Sequence, residues 1–337
     1  MREKKYDVLI IGGGPAGYYC ALVSSRGGLR VGLVEKEELG GSGFRWGSLP
    51  VKRILDDCKL SKSLNTHHKK SSKKTIYDYS NEMKQIEIKI KNKLLDEKVD
   101  LYFGEGEFLD NHAYQVKDTL IKSNYIVIAT GTSPCGLKDF QIDGKKIITH
   151  RDVFNLAKLP EKILIVGGNV EGCEFATLFT ELGLRVTLIE RESEILPGTD
   201  RDLVKPLGDY FKNHGVEIYT GVEAKTIRVS EENKATVFLD NGLELGAEKI
   251  LITGSRKPNF PKGLNKTGLH VEKTYIPVDE VLGTNIPNIY AIGDINGLMG
   301  MAHAAIQQGI VLAENILFKK KSTLSYDIIP SAIFGIP

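Results

Sequence analysis

The sequence predicts an α/β protein of two Rossmann-like units, the second inserted within the first. An apolar run, residues 8–11, leads directly into Gly12-x-Gly14-x-x-Gly17. The same plan of strand, glycine turn, helix and second strand recurs about 155 residues later in "EKILIVGGNVEGCEFATLFTELGLRVTLIERE". A chain of 337 residues is also long for one hydrophobic core, so two domains are expected. Two βαβ units in one chain supply two places where a nucleotide can sit at a helix N-terminus.

The elements follow in order. After the first glycine turn, helical spacing continues to Ser25, and "LRVGLVEK" supplies the next strand. Residues 50–61 and 77–98 read as helices, the latter with Met83, Ile86, Ile90 and Leu94 at three- and four-residue steps. "NTHHKKSSKK", residues 65–74, joins them as a solvated basic loop. Residues 121–134 form a strand ending in the turn Ala129-Thr130-Gly131, and 249–259 repeat that ending at Gly254. Residues 284–297 form a strand running into Gly293-Asp294, followed by an amphipathic helix from Ala302 to about Phe318. "YDIIPSAIFGIP" reads as the start of a further strand region. The expected domains are 1–149 with 275–325, the inserted 150–274, and 326–337 as the beginning of a third.

Composition narrows the function classes. The chain is 41% hydrophobic and 26% charged, ordinary for a globular protein, and its net charge of +2 gives no reason to expect nucleic acid or an anionic membrane as partner. "MREKKY" runs straight into an apolar strand without a signal-peptide core, and no apolar run approaches the roughly 20 residues that span a bilayer. Cys20, Cys58, Cys135 and Cys173 are scattered, with no C-x-x-C or metal-ligand spacing. No metal site is expected, and free thiols point to a cytoplasmic protein.

In the first unit the fingerprint follows a strand and opens a helix, and Glu35 closes the second strand at the expected remove. Gly12 allows the tight turn, Gly14 lets a pyrophosphate approach the backbone, and Gly17 lets helix and strand pack closely. Pro15 and Ala16 begin a helix whose unpaired N–H groups attract phosphate. Glu35, followed by Lys36, can accept ribose hydroxyls. Such a unit by itself does not distinguish FAD from NAD.

Taken together, "GGGPAGYYCA", "IVIATGTSP", "IYAIGD" and a Rossmann unit inserted between the last two resemble the pyridine nucleotide–disulfide oxidoreductases. That is the flavoprotein family to which dihydrolipoamide dehydrogenase belongs. The resemblance implies FAD on the first unit, held by the Gly12 turn, Glu35 and Lys36, by Gly41 and Ser42, and by Ala129, Thr130 and Gly131. It further implies that Gly293 and Asp294 meet the ribityl chain. Met301, Ala302 and His303 would begin a helix aimed at the flavin, whose reduced ring gains negative charge. NAD is implied on the second unit, at Gly167, Gly172, Glu190 and Gly254.

Family members carry G-G-x-C-x-x-x-x-C-x-P-x-K after the first unit, the two cysteines forming the disulfide that takes electrons from the flavin. Here "GGSGFRWGSLPVK" keeps Gly40, Gly41, Pro50 and Lys52 but has Gly43 and Ser48 at the cysteine positions. Neither residue cycles between thiol and disulfide, so disulfide reduction by the family's route is not expected. Cys58, ten residues beyond Ser48, is no replacement. Ser42 can still offer a hydroxyl to an FAD phosphate. Lys52 and Glu174 match the family's ion pair beside the flavin, which tunes its potential. Trp46 together with Ser48 resembles the soluble transhydrogenase branch.

The second fingerprint is altered. Asn169 replaces the middle glycine; it tolerates left-handed backbone, yet its side chain would intrude on the phosphate path. Glu171 stands where the family has an aliphatic residue and would oppose an anionic ligand. Glu190 suits a 2′-hydroxyl and favours NAD over NADP, while Arg185 and Arg191 leave a 2′-phosphate open. The family's interface domain, with its acid–base His–Glu pair, would only begin at 326–337, so the family-type dimer is not expected, and His303 does not substitute for that histidine. The expected activity is hydride transfer from NADH to FAD without a redox-active disulfide, in the manner of a diaphorase, oxidase or transhydrogenase, with an unidentified acceptor. The alternative is a degenerate member that binds FAD without turnover, or a fragment of a longer enzyme.

Overall fold

The structure, a computed structural model, describes residues 2–63, 72–136, 140–230, 234–254 and 256–336. Most of the basic run, residues 65–71, lies outside them. The chain divides into two compact units. The first comprises Met1–Arg45, Met83–Ser133 and Lys257–Pro330; the second comprises Trp46–Glu82, Pro134–Arg256 and Ser331–Pro337.

The first unit is built on the strand Arg2–Ile11, which pairs in parallel with Val31–Glu35 on one side and Thr119–Ile128 on the other. Asp100–Phe103 extends the sheet beyond Val31–Glu35, and Ile289–Ala291 adds to Thr119–Ile128, both parallel. The hairpin Gly106–Phe108 and Ala113–Val116 is antiparallel. Strand order therefore reverses beside Arg2–Ile11, and a doubly wound sheet opens its crevice at the carboxyl ends of the strands flanking such a reversal. The run 8–11 is continuously apolar because both faces are covered. Val8 and Ile10 enter one core with Cys20, Val127 and Leu312, while Leu9 and Ile11 enter another with Phe108, Ile126 and Ile128.

The second unit repeats this logic. Lys162–Val166 pairs in parallel with Arg185–Glu190 and Lys249–Ile252; Glu217–Thr220 and Ile147–Ile148 lie at the edges. Ile163 and Ile165 face one core with Ile54, Phe179 and Phe211, whereas Leu164 and Val166 face another with Val237 and Ile252. An antiparallel sheet, Ala224–Val229, Ala235–Leu239 and Glu244–Ala247, adds to the second core.

The helices expected at 50–61 and 77–98 run Ser48–Ser63 and Ser72–Asp96. The latter stops short because Lys98 adopts left-handed backbone, φ 63°. The strand expected after residue 326 does not form. Tyr326–Ile328 is a single 3-10 turn, and 329–336 hold no regular element. A strand needs a pairing edge, and this segment instead places Ile333, Phe334 and Ile336 against the core of the second unit. No helix among the described residues is long and apolar enough to cross a membrane.

Candidate dinucleotide sites

In the first unit, Gly12 has φ 109°, and a Cβ there would lie 2.4 Å from the Ala129 carbonyl oxygen. A Cβ on Gly17 would lie 1.9 Å from the Gly12 oxygen, so strand, turn and helix meet backbone to backbone. The helix Pro15–Arg26 starts at Gly14 with no side chain capping it, which leaves its opening N–H groups for a ligand. Glu35 is held at the turn: Oε2 accepts the Gly13 N–H at 2.8 Å and Oε1 the Glu37 N–H at 2.9 Å. Its remaining lone pairs are available to ribose hydroxyls. Lys36 beside it is exposed.

The loop that follows lies on this turn. The Gly40 N–H donates to the Gly13 oxygen at 2.9 Å, and a Cβ on Gly41 would come within 2.8 Å of the Gly14 Cα. Ser42 follows in the one-turn helix Gly41–Arg45. A Cβ on Gly43 would be 3.3 Å from Pro15 Cγ and 3.5 Å from Ala302 Cβ, so this residue sits beside the starts of both flanking helices.

The Thr130 hydroxyl is buried without a hydrogen-bond partner. Asn259 fixes the turn around it, donating from Nδ2 to the Thr130 oxygen at 3.0 Å and from its backbone to the Gly131 oxygen at 3.0 Å. Gln308 does the same for Gly293: its Oε1 accepts the Gly293 N–H at 2.6 Å and Asn296 Nδ2 at 2.8 Å. Asp294 accepts from Thr132 Oγ1 at 3.2 Å. The helix Ala302–Phe318 begins after Met301 with no side-chain cap. His303 is turned to the Pro330 carbonyl, 2.7 Å from Nε2. Two uncapped helix starts, an orphaned hydroxyl and a pinned carboxylate fit FAD. Asn259, Asn296 and Gln308 escaped the sequence reading; the available signal was a polar Gln308 on the apolar face of its helix.

The second unit reproduces the turn, with one change. Gly167 has φ 111°, and a Cβ on Gly172 would lie 1.8 Å from the Gly167 oxygen. Glu190 accepts the Gly168 N–H at 2.6 Å and the Glu192 N–H at 2.9 Å, matching Glu35. Asn169 has φ −73° and ψ −176°, nearly the φ −72° and ψ −176° of Gly14. The middle position is therefore extended in both units, and tolerance of left-handed backbone is not what it requires. Glycine there provides space. Asn169 fills that space: Oδ1 accepts the Gly172 N–H at 3.1 Å, and Nδ2 lies 3.5 Å from Thr253 Oγ1. The same Nδ2 is 2.1 Å from where a Cβ on Gly254 would stand. The helix Val170–Glu181 is thus capped by its own N-terminal residue.

Glu171 does not present a bare charge, since its carboxylate pairs with His150. Glu174 is buried and its Oε1 accepts the Phe334 N–H at 2.9 Å. Burial pushes its carboxyl up, against the Phe334 N–H and the charge of Lys52, with Glu171 reinforcing the rise. Lys52 is close enough to act on Glu174, but its Nζ sits 3.9 Å from the centre of the Phe334 ring rather than on the carboxylate. No disulfide joins the four cysteines; Cys20, Cys58 and Cys173 are buried and Cys135 is half-buried. Burial drives the thiols of Cys20 and Cys173 up to about 12.

Comparison with known proteins agrees with this architecture. A family profile described as pyridine nucleotide-disulphide oxidoreductase matches residues 6–309. The dihydrolipoyl dehydrogenase of Acholeplasma laidlawii is 35% identical, covering 96% of this chain and 100% of the relative. That of Chlamydia muridarum is 31% identical over 99% of this chain and 75% of the relative. A soluble pyridine nucleotide transhydrogenase of Mycobacterium bovis is 28% identical over 100% of this chain and 75% of the relative. Among solved structures, LpdA from Mycobacterium tuberculosis superposes with a TM-score of 0.90 at 26% identity, covering 99% of this chain and 76% of that one. The HOCl-induced flavoprotein disulfide reductase RclA from Escherichia coli gives 0.86 at 26% identity, covering 94% and 72%.

Proposed function

This chain belongs to the pyridine nucleotide-disulphide oxidoreductase family, whose members use FAD and NAD(H), and on that premise we propose an FAD-dependent oxidoreductase that takes hydride from NADH without a redox-active disulfide. The observation that carries the proposal is Gly43 and Ser48 at the two cysteine positions of an otherwise retained loop. None of the four cysteines stands at those positions. Bound FAD supplies a two-electron acceptor for the hydride of NADH. The protein's own part is binding and charge placement. The uncapped start of Pro15–Arg26 and the Glu35 carboxylate hold one dinucleotide, and the Gly167 turn with Glu190 holds the other. Lys52 and Glu174 are proposed to set the charge around the reacting cofactors. Oxygen, a quinone, a dye or a second nicotinamide then serves as acceptor.

Anaerobic titration of FAD-loaded protein with NADH tests this. The expected result is bleaching of the yellow flavin absorbance at stoichiometric NADH; a flavin that stays oxidised defeats the proposal. Asn169 favours a second reading, a member that binds FAD and does not turn over, because its side chain occupies the helix start that a pyrophosphate uses. Calorimetry separates the two: tight FAD binding with no NADH affinity selects the second.

A further inference from the structure

His150 is 3% exposed in the second unit, at the start of the short helix His150–Val153. Its Nδ1 faces Oε1 of Glu171, in the first turn of Val170–Glu181, within ion-pairing range, and both atoms are buried with no hydrogen-bond partner of their own. Its Nε2 lies 3.5 Å from Nη1 of Arg256. A guanidinium only donates, so Nε2 accepts in that contact, and the ring proton is left on Nδ1, beside the Glu171 carboxylate. Carboxylate, imidazole and guanidinium come from three separate segments of the chain.

An aromatic stack rests on this row. The Trp46 ring centre is 4.8 Å from that of His150, with the planes 35° apart. Phe175, one helical turn after Glu171, lies 6.5 Å from the imidazole at 24°. Arg151 is 5.8 Å from the Trp46 ring. Trp46 is 9% exposed and stands two residues before the start of the helix Ser48–Ser63, whose first turns carry Lys52.

We propose that Glu171, His150 and Arg256 form a hydrogen-bonded lock with a fixed imidazole tautomer, which seats Trp46 and thereby positions the 46–52 turn. Glu171 and His150 are then positioning residues for Lys52. Their use in hydride transfer rests on the function proposed above; the lock does not.

Trp46 is the only tryptophan in the chain, so its emission reports the lock directly. Glu171→Gln keeps an acceptor for the Nδ1 proton and should leave the emission maximum and iodide quenching as in the wild type. Glu171→Leu removes the acceptor and should red-shift the emission and raise iodide quenching severalfold. Nitrogen-15 NMR of the wild type needs no variant, and should find the proton on Nδ1 and Nε2 bare at neutral pH. A proton on Nε2, or a Trp46 emission that Glu171→Leu leaves unchanged, overturns the lock. In the anaerobic NADH titration, Glu171→Leu should bleach more slowly while Glu171→Gln matches the wild type. Equal rates with Trp46 displaced would refute the positioning role. A wild-type flavin that NADH does not bleach, with the expected tautomer, would defeat the hydride-transfer reading and uphold the lock.

Discussion

Replacing Asn169 by Gly should tighten NADH binding. In the wild type a pyrophosphate approaching the second glycine turn meets a helix whose Gly172 N–H already donates to Asn169 Oδ1 at 3.1 Å. The ligand must displace that bond, a neutral one with a net value of about 1 kcal/mol. At room temperature this corresponds to roughly fivefold in the dissociation constant. The helix itself loses little, since glycine is an acceptable N-cap and replacing Asn costs only about a few tenths of a kcal/mol. The melting temperature should therefore move by about 1 °C. Asn169→Asp is the opposite control: it keeps a stronger cap and sets a carboxylate against an anionic ligand, so affinity should fall. Calorimetric titration of NADH into FAD-loaded wild type and both variants reads all three affinities. If Asn169→Gly binds NADH no better than the wild type at an unchanged melting temperature, the cap does not compete with the ligand and the reasoning fails.

Gly17→Ala places a methyl 1.9 Å from the Gly12 carbonyl oxygen, so the first unit should lose about 3 kcal/mol or more and be purified without flavin; a yellow protein melting like the wild type would contradict this. Glu35→Gln removes the charge from a carboxylate that holds two backbone N–H groups, and FAD affinity should drop about ten- to a hundredfold, read from release of fluorescent FAD. The Glu174 carboxyl is raised above 4.5 by burial, so between that value and its folded value the native state binds more protons than the unfolded state. Its contribution to stability is complete below pH 4.5 and falls as pH rises through the window. Glu174→Gln should flatten that slope in urea melts, and identical slopes would refute the assignment. A bulky maleimide should label Cys135 alone in the native protein, because the other three thiols are buried, and labelling should leave bleaching by NADH unchanged.

Much of the architecture was legible because its signals are local. Strands buried on both faces must be continuous apolar runs, and the runs at 8–11 and 163–166 are. Each strand ends in a glycine at φ 109° or 111°, a backbone that other residues rarely adopt. Gly40-Gly41 and Pro50-x-Lys52 set Gly43 and Ser48 against the pattern that the family resemblance implies for this loop. The ends of elements are less legible: the strand expected after 326 pairs with no edge among the described residues, and partner edges leave no local pattern.

The two βαβ units, the glycine turns, the acidic residues that end the second strands, and Gly43 and Ser48 in the 40–52 loop can all be read along the chain. These depend on backbone conformation and side-chain type, which are properties of a residue and its near neighbours. Tertiary structure decided what the polar side chains do. Asn169 could have been read as a conformational substitute for glycine until its backbone proved as extended as Gly14, leaving space as the difference. Glu171 looked like an unpaired charge until the fold brought His150 to it from 21 positions earlier in the chain. Phe334 comes between Lys52 and Glu174 from far along the chain. Such pairings arise when distant segments are packed together, and a buried polar atom takes whichever partner that packing supplies.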